Sequence, residues 1–315
     1  MRRAPALLIL LLAAQTGRAE DTLRAGKASP TAFAMLPLVV GAEVGIYKKH
    51  GLEVEISDFE GGAKLHQATA AGNLDIGVGS GAELALIAKG APEIAICNAA
   101  GPPLFIGIAV PWDSPAHKGE DLKGKKIGVS STNSMTYWMA GQLSRHYGWG
   151  ADGVTIVTIG ASSAGVVAGF RAHLIDADIG GTSLAFQLEE KKEGRLLMPV
   201  SDYLGNMSAD TVFASRALIA KNPDAVRRFA AGWIDAVKFM RANKEATVRI
   251  AQKMTGFDAA VQSREYDQSI PMFNEDCRFD AESLATLKRS YADLKFLDFE
   301  PDMAKTYTEE FLPKN

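Results

Sequence analysis

From residue 20 onward the chain alternates short apolar segments with longer segments in which apolar residues recur every three or four positions. The first pattern is typical of strands and the second of helices. Strands are predicted at residues 23–27, 52–59, 74–78, 93–97, 104–110, 126–129, 154–159, 177–179 and 196–200. Helices are predicted between them at residues 37–49, 65–71, 82–89, 134–147, 164–172 and 184–192. Such alternation predicts an α/β fold with mostly parallel sheets that helices cover on both faces.

The alternation pauses after residue 110 and then resumes, which indicates two α/β units. The last third of the chain reads as helical throughout. Asn222-Pro223 supplies an N-cap followed by proline at the first helical position, and Phe229, Trp233 and Met240 lie on one face of the helix that follows. Further helices are predicted at residues 244–254, 258–268, 280–293 and 301–311. We expect this helical tail to pack back on the first sheet.

The first nineteen residues have the composition of a secretory signal peptide. Arg2 and Arg3 precede an apolar run at residues 6–14, and Gly17 and Ala19 are small residues at the positions that a signal peptidase reads. The run is about half of the roughly 20 residues that a membrane span requires. We therefore expect cleavage after Ala19, and a mature chain that is not inserted in a membrane and resides in a periplasm.

The net charge of the chain argues against two classes of binding partner. The leader carries three of the 34 Lys and Arg residues, so the mature chain would hold 31 of them against 37 Asp and Glu, a net charge of about −6. Nucleic acids and anionic membranes both require a basic face, so neither is expected as a partner. Cys97 and Cys277 are the two cysteines. An oxidising compartment permits a bridge between them, but two distant cysteines do not by themselves argue for one.

Loops of small and hydroxyl-bearing residues follow four of the predicted strands. In open α/β sheets, ligands bind beyond the carboxyl ends of the strands, where hydroxyls, backbone N–H groups and helix N-termini are available. Any one such loop can be an ordinary N-cap, but four of them, two in each unit, predict a shared ligand cleft. The candidate ligand-binding residues are Ser29, Thr31, Phe33, Gly62, Ser80, Gly81, Glu83, Thr132, Asn133, Ser134, Tyr137, Gly181, Thr182 and Ser183.

Signatures of catalysis are missing from the sequence. It contains no Gly-x-Ser-x-Gly elbow, P-loop or His-Glu-x-x-His motif, and its five histidines are scattered. Of these, His66 alone follows a candidate loop closely enough to reach a ligand. We therefore expect a binding protein without catalytic residues, metal or cofactor.

The chain resembles the periplasmic solute-binding components of ABC importers, in the branch that serves nitrate, sulfonates, taurine and pyrimidine precursors of thiamine. The matching segments are GIYKKHGLEV at residues 45–54, AGNLDIG at 71–77, DLKGKKIGV at 121–129, DAD at 176–178 and Asn222-Pro223. Each is modestly specific, and their order and spacing strengthen the match. The resemblance covers nearly all of residues 20–315.

This resemblance implies two doubly wound α/β domains of the type II periplasmic binding protein fold, joined by two hinge strands around a closing cleft. Domain one would comprise residues 20–110 and 211–315, and domain two residues 111–210. It also implies a monomer that captures a small organic solute and delivers it to an ABC permease with its cytoplasmic ATPase. The family's ligand loops match the four loops above.

The second-domain loops depart from the pattern of sulfonate binders, because residues 130–134 and 180–183 contain no Arg, Lys or Trp. The identity of the solute is therefore left open between anions and neutral, polar or aromatic molecules. Glu83, if it faces the cleft, would favour a hydrogen-bond donor or amine, such as a pyrimidine. Two alternatives stay open: a pyrimidine-precursor synthase or lyase on the same fold, and a ligand-binding partner of a membrane sensor.

Overall fold

The computed structural model describes residues 20–59, 61–80, 83–132, 134–150, 152–160 and 162–314. The predicted signal peptide, Gly81 and Asn133 therefore lie outside the described residues. Ten strands are present: β1 Asp21–Lys27, β2 Leu52–Asp58, β3 Ile76–Ser80, β4 Glu93–Ala100, β5 Ile106–Pro111, β6 Lys126–Val129, β7 Thr155–Thr158, β8 Ala177–Gly181, β9 Gly194–Pro199 and β10 Asp210–Ser215. They form two sheets of five strands each, as the fold-class prediction requires.

The two sheets have the same arrangement. The first has the order β2-β1-β3-β10-β4 and the second β7-β6-β8-β5-β9. In each, three strands pair in parallel, and the fourth position is taken by an antiparallel strand: β10 in the first sheet and β5 in the second. The sequence predicts the first crossing between domains at Val110-Pro111, which places β5 in domain one. In the structure β5 pairs with β8 and β9 of the second sheet.

Helices cover the sheets much as the periodicity predicts. The first unit carries α1 Leu36–Glu43, α2 Ile46–Lys49, α3 Gly62–Ala70 and α4 Glu83–Ala88, and the second α5 Met135–His146, α6 Ser163–Arg171, α7 Thr182–Glu190 and α8 Ser201–Leu204. The single helix expected at 37–49 is two helices, because Gly45 adopts a left-handed conformation with φ of 73°. That conformation is accessible to glycine without steric cost and interrupts the helix.

The tail comprises α9 Arg216–Lys221, α10 Pro223–Ala242, α11 Lys244–Thr255, α12 Ala259–Ser269 and α13 Ala281–Asp293. As predicted, the Asn222 side chain caps α10 by accepting from Ala225 N, and the tail packs on the first unit, where Phe229 stacks on Tyr47 with ring centroids 5.0 Å apart. The helix predicted at 301–311 was wrong. Only the 3₁₀ turn Met303–Lys305 forms there, and the backbone of residues 306–308 bonds to Ala95 in β4.

A disulfide joins Cys97 in β4 to Cys277 in the tail, with their Cα atoms 4.5 Å apart. The sequence alone did not argue for this bond, because the two residues are 180 positions apart. Tertiary packing brings them together, and both side chains are buried. The bridge fixes the segment before α13 to the first sheet.

Candidate functional site

A cavity of about 360 Å³ lies between the two units. The loop after β1 contributes one wall, the ends of β6, β7 and β8 the opposite wall, and the first crossing and the tail close the sides. The described lining residues are Ser29, Thr31, Ala32, Phe33, Phe105, Ile106, Ser130, Thr136, Gly160, Asp178, Ile179, Gly180, Gly181, Ser183, Leu184, Phe257 and Glu265. The cavity therefore draws on both units at the strand ends where a ligand was expected.

Five of the predicted site residues line this cavity: Ser29, Thr31, Phe33, Gly181 and Ser183. Ser29 also shapes its own loop, because its hydroxyl accepts a hydrogen bond from Ala32 N at 3.2 Å. Phe33 begins a 3₁₀ turn and is buried, with only 3 % of its surface exposed. It therefore offers an apolar surface at the wall of the cavity.

Thr182 lies beside the cavity and contacts the tail. Its hydroxyl donates to Oε2 of Glu265 at 2.6 Å, and the Ser269 hydroxyl donates to the other oxygen at 2.6 Å. Glu265 is 1 % exposed, and burial raises its pKa, although the hydroxyls of Ser269, Thr182 and Ser183 work in the opposite direction. Because α12 belongs to the tail and α7 to the second unit, this carboxylate connects the two sides of the cleft.

Asp178 is the second residue of β8 and lines the cavity with 4 % of its surface exposed. Its carboxylate has no hydrogen bond or ion pair with any described residue. Burial raises its pKa to about 7. A carboxylate that is removed from water without a partner is costly, so this group is poised to accept hydrogen bonds from a bound molecule.

Gly62, Ser80 and Glu83 lie outside the described lining of the cavity. Glu83 is 2 % exposed, accepts a hydrogen bond from the Ser80 hydroxyl at 3.0 Å, and packs against Gly62 and Gly79. Burial raises its pKa to about 7, although His66 and Ser80 act in the opposite direction.

His66 is also enclosed. Its Nδ1 is bonded to the carboxylate of Glu93, and its ring stacks on Phe213 at 4.6 Å. Together, Glu83 and His66 form part of a polar interior in the first unit.

The remaining predicted residues lie in the loop before α5 and in the first turn of that helix. The Ser134 hydroxyl caps α5 by accepting from Tyr137 N at 3.2 Å, and Thr132 is exposed and contacts Thr158. Tyr137 lines a separate surface depression with Trp138. Ser134 is therefore an ordinary helix N-cap.

Sequence reasoning missed Phe105, Thr136, Asp178, Phe257 and Glu265 as cavity residues. Asp178 had a sequence signal, since it ends the DAD segment and lies in the strand that leads into the Gly181–Ser183 loop. Thr136 also had a sequence signal, because it follows the second-unit loop. In the structure its hydroxyl accepts a hydrogen bond from Ser130 N at 3.1 Å. Phe257 and Glu265 had none, because nothing in the periodicity of a helical tail shows which residues reach across to the other unit.

Within the described ranges, no group of three or more His, Cys, Asp and Glu side chains is arranged to hold a metal ion. Over the same ranges, none of the helices combines the length and apolar character that a membrane crossing needs.

The sequence profile of the NMT1/THI5-like family matches residues 32–247, more than half of the chain. The chain belongs to this family. A protein of Brucella abortus (strain 2308) that is named only as a candidate binding protein is 33 % identical over 224 residues, which cover 70 % of this chain and 68 % of the relative. The taurine-binding periplasmic protein of Escherichia coli (strain K12) is 27 % identical over 214 residues, which cover 67 % and 65 %.

Two solved structures of other proteins share the fold of this chain. The periplasmic aliphatic sulphonate binding protein SsuA of Escherichia coli superimposes with a TM-score of 0.74 at 19 % identity, over 91 % of this chain and 92 % of that one. The desulfurization enzyme DSZB has a TM-score of 0.67 at 17 % identity, over 92 % and 97 %. The fold is therefore that of the periplasmic binding proteins, as predicted, and it also occurs in an enzyme.

Proposed function

We propose that the chain binds a small organic solute between its two units, outside the cytoplasmic membrane, and delivers it to an ABC permease with its ATPase. The observation that carries the proposal is the cavity of about 360 Å³ whose walls come from both units. Small-molecule sites have volumes of roughly 300–1,000 Å³ and combine apolar walls with a few polar groups. The relatives named as binding proteins support the same interpretation.

The chain crosses between the sheets twice, at residues 101–105 and 200–209, and this connectivity supports opening and closing about a hinge. We propose the corresponding domains as residues 20–105 with 209–314, and 106–208. Several polar contacts connect the two proposed domains. Thr182 bonds to Glu265 at 2.6 Å, Arg264 to Glu189 at 2.6 Å, and the indole N–H of Trp138 to Asp293 at 3.0 Å. These contacts would stabilise the closed arrangement.

The periplasm is the proposed location and a monomer the proposed state. The predicted signal peptide and the taurine-binding relative, which is periplasmic by name, support the location. The Cys97–Cys277 bond agrees with it, because disulfides persist in oxidising compartments.

A solute-processing enzyme is the second candidate, because DSZB has the same fold. The side chains expected to react are engaged elsewhere: both cysteines are in the disulfide, and His66 is paired with Glu93 inside the first unit. A sensor in place of the permease would use the same binding step. The binding proposal therefore comes first.

A thermal-shift screen over sulfonates, nitrate, pyrimidines and aromatic acids tests the proposal. A solute that binds the native state raises the melting temperature as its concentration increases. Phe257→Ala should weaken that binding about tenfold or more, since it removes a buried apolar contact, whereas Phe299→Ala, on the exposed surface of the tail, should leave it unchanged. A new product in the incubated mixture, detected by mass spectrometry, would establish the enzyme instead.

A further inference from the structure

The cleft carries negative groups only. Its described lining contains two carboxylates, Asp178 and Glu265, and no Lys, Arg or His. Lys27 lies behind the Ser29 loop, but its ammonium is paired with Asp58 at 2.7 Å and donates to the carbonyl of Pro30. The residues inside the chain that the structure leaves out, at positions 60, 81, 82, 133, 151 and 161, include no basic residue by sequence. An anionic solute would therefore meet carboxylates without a countercharge.

One helix N-terminus beside the cavity is already occupied by a carboxylate of the chain. α7 begins at Thr182, beside the cavity, and the positive end of a helix attracts negative charge. The carboxylate of Glu265 lies there, with one oxygen accepting from Thr182 and the other from Ser269, both at 2.6 Å. The chain thus supplies its own anion at this point, and a sulfonate would have to compete with it.

The carboxylate of Asp178 differs from that of Glu265, because its oxygens accept no hydrogen bond from the described residues. It is 4 % exposed, faces the cavity, and has no hydrogen bond with the described part of the chain. Carboxylate oxygens accept hydrogen bonds and attract positive charge, so the missing partner is a donor, ideally a cation. Phe33, Phe105 and Phe257 line the same space, and their ring faces favour aromatic frames and cations.

We propose that the solute carries a nitrogen-based hydrogen-bond donor, a protonated amine or an amino-substituted ring, which donates to Asp178, and that the cleft discriminates against sulfonates that lack such a donor. This inference rests on the proposed function and names the solute class of the same site. It sets the chain apart from the aliphatic sulphonate binding protein whose fold it shares and whose name specifies an anion.

Isothermal titration calorimetry with matched probes tests the proposal. Benzylamine and 4-aminopyrimidine are compared with phenylmethanesulfonate, benzoate and nitrate. At least one nitrogen probe should bind at least tenfold more tightly than any anion. Asp178→Asn should weaken its binding about tenfold or more, while Asp113→Asn, on an exposed loop of the second unit, should leave it unchanged.

A second readout separates a direct contact from a structural role. If the cationic probe binds the ionised Asp178 carboxylate, its binding near pH 6.5 should release a proton, which appears as a dependence of the binding heat on the buffer's ionisation enthalpy, and the dependence should vanish in the Asp178→Asn variant. Tighter binding of phenylmethanesulfonate than of both nitrogen probes, or unchanged affinity in that variant, would overturn the solute class while leaving the binding function intact. Absence of binding by every probe and by every solute of the wider screen would count against the binding function itself.

Discussion

Glu83 and Asp178 are both buried carboxylates whose pKa is raised to about 7, yet they occupy different kinds of surroundings. Glu83 lies inside the first unit, where the Ser80 hydroxyl donates to it and Gly62 and Gly79 pack against it. Asp178 has no partner among the described residues and borders an open cavity. A raised pKa reports burial in both cases. The two carboxylates differ in the space beside them: Glu83 is enclosed by protein, whereas Asp178 borders a cavity that a ligand could enter.

The largest expected effect is on the pH dependence of stability. Burial raises the pKa of Glu83, Asp178, Asp210 and Glu265 in the folded protein. The pKa is raised to about 7 for Glu83 and Asp178, so between its ordinary value and pH 7 the native state holds protons that the unfolded chain has released, and the free energy of unfolding falls as pH rises through this window. We expect a loss of about 3 kcal/mol or more between roughly pH 4.5 and pH 7.5 in urea titrations of the ligand-free protein.

The same urea titrations, carried out on variants, separate the contribution of Glu83 from that of Asp178. Glu83→Gln and Asp178→Asn should each reduce the slope, because each removes one of the groups. A saturating nitrogen probe should suppress the contribution of Asp178 and leave that of Glu83 unchanged. Equal sensitivity of both contributions to the probe would show that the two carboxylates do not differ as proposed.

The second prediction concerns the polar interior around Glu83. His66→Phe keeps a ring beside Phe213 but leaves the Glu93 carboxylate buried without its partner. Breaking a buried pair in this way should destabilise the protein by about 3 kcal/mol. His50→Ala is the matched control: its partner Asp235 is half-exposed, so the loss should stay below about 1 kcal/mol. Similar values from chemical denaturation of both variants would contradict an enclosed interior.

The third and smallest expected effect is the loss of stability when either of two glycines is replaced by alanine. A Cβ at Gly79 would overlap the enclosed Glu83 carboxylate, whereas a Cβ at Gly180 would come within 2.8 Å of Asp178 Oδ2, which can move toward the cavity. Gly79→Ala should therefore cost about 2 kcal/mol, as overpacking does, and Gly180→Ala clearly less. Differential scanning calorimetry measures both. A larger loss for Gly180→Ala would show that Asp178 is the more tightly confined group.

Much of the fold could be predicted because it depends on local periodicity. The parallel strands β1, β2, β6 and β7 follow from apolar segments with helices between them, and the start of α10 follows from Asn222-Pro223. The extended segment around Tyr307 could not be predicted, because its backbone bonds to β4, which is distant in sequence. The disulfide depends on the same tertiary packing.

The site was less predictable than the fold. The rule that ligands bind at strand ends predicted Ser29, Phe33 and Ser183, whose loops follow strands directly and which line the cavity. It could not distinguish Ser183 from Ser134, because both hydroxyls stand at helix starts and only the first lines the cavity. Nor could it identify Glu265, whose role depends on how a helix of the tail docks against α7.

The pairing of β10 has a consequence for the order in which the chain can fold during synthesis. All five strands of the second sheet lie between residues 106 and 199, so that sheet can close on itself early. The first sheet cannot: β3 and β4 have no direct pairing with each other and wait for β10, which is encoded after the whole second unit. Until residue 215 emerges, both strands present unpaired edges, which are the sites where other chains or holding chaperones bind.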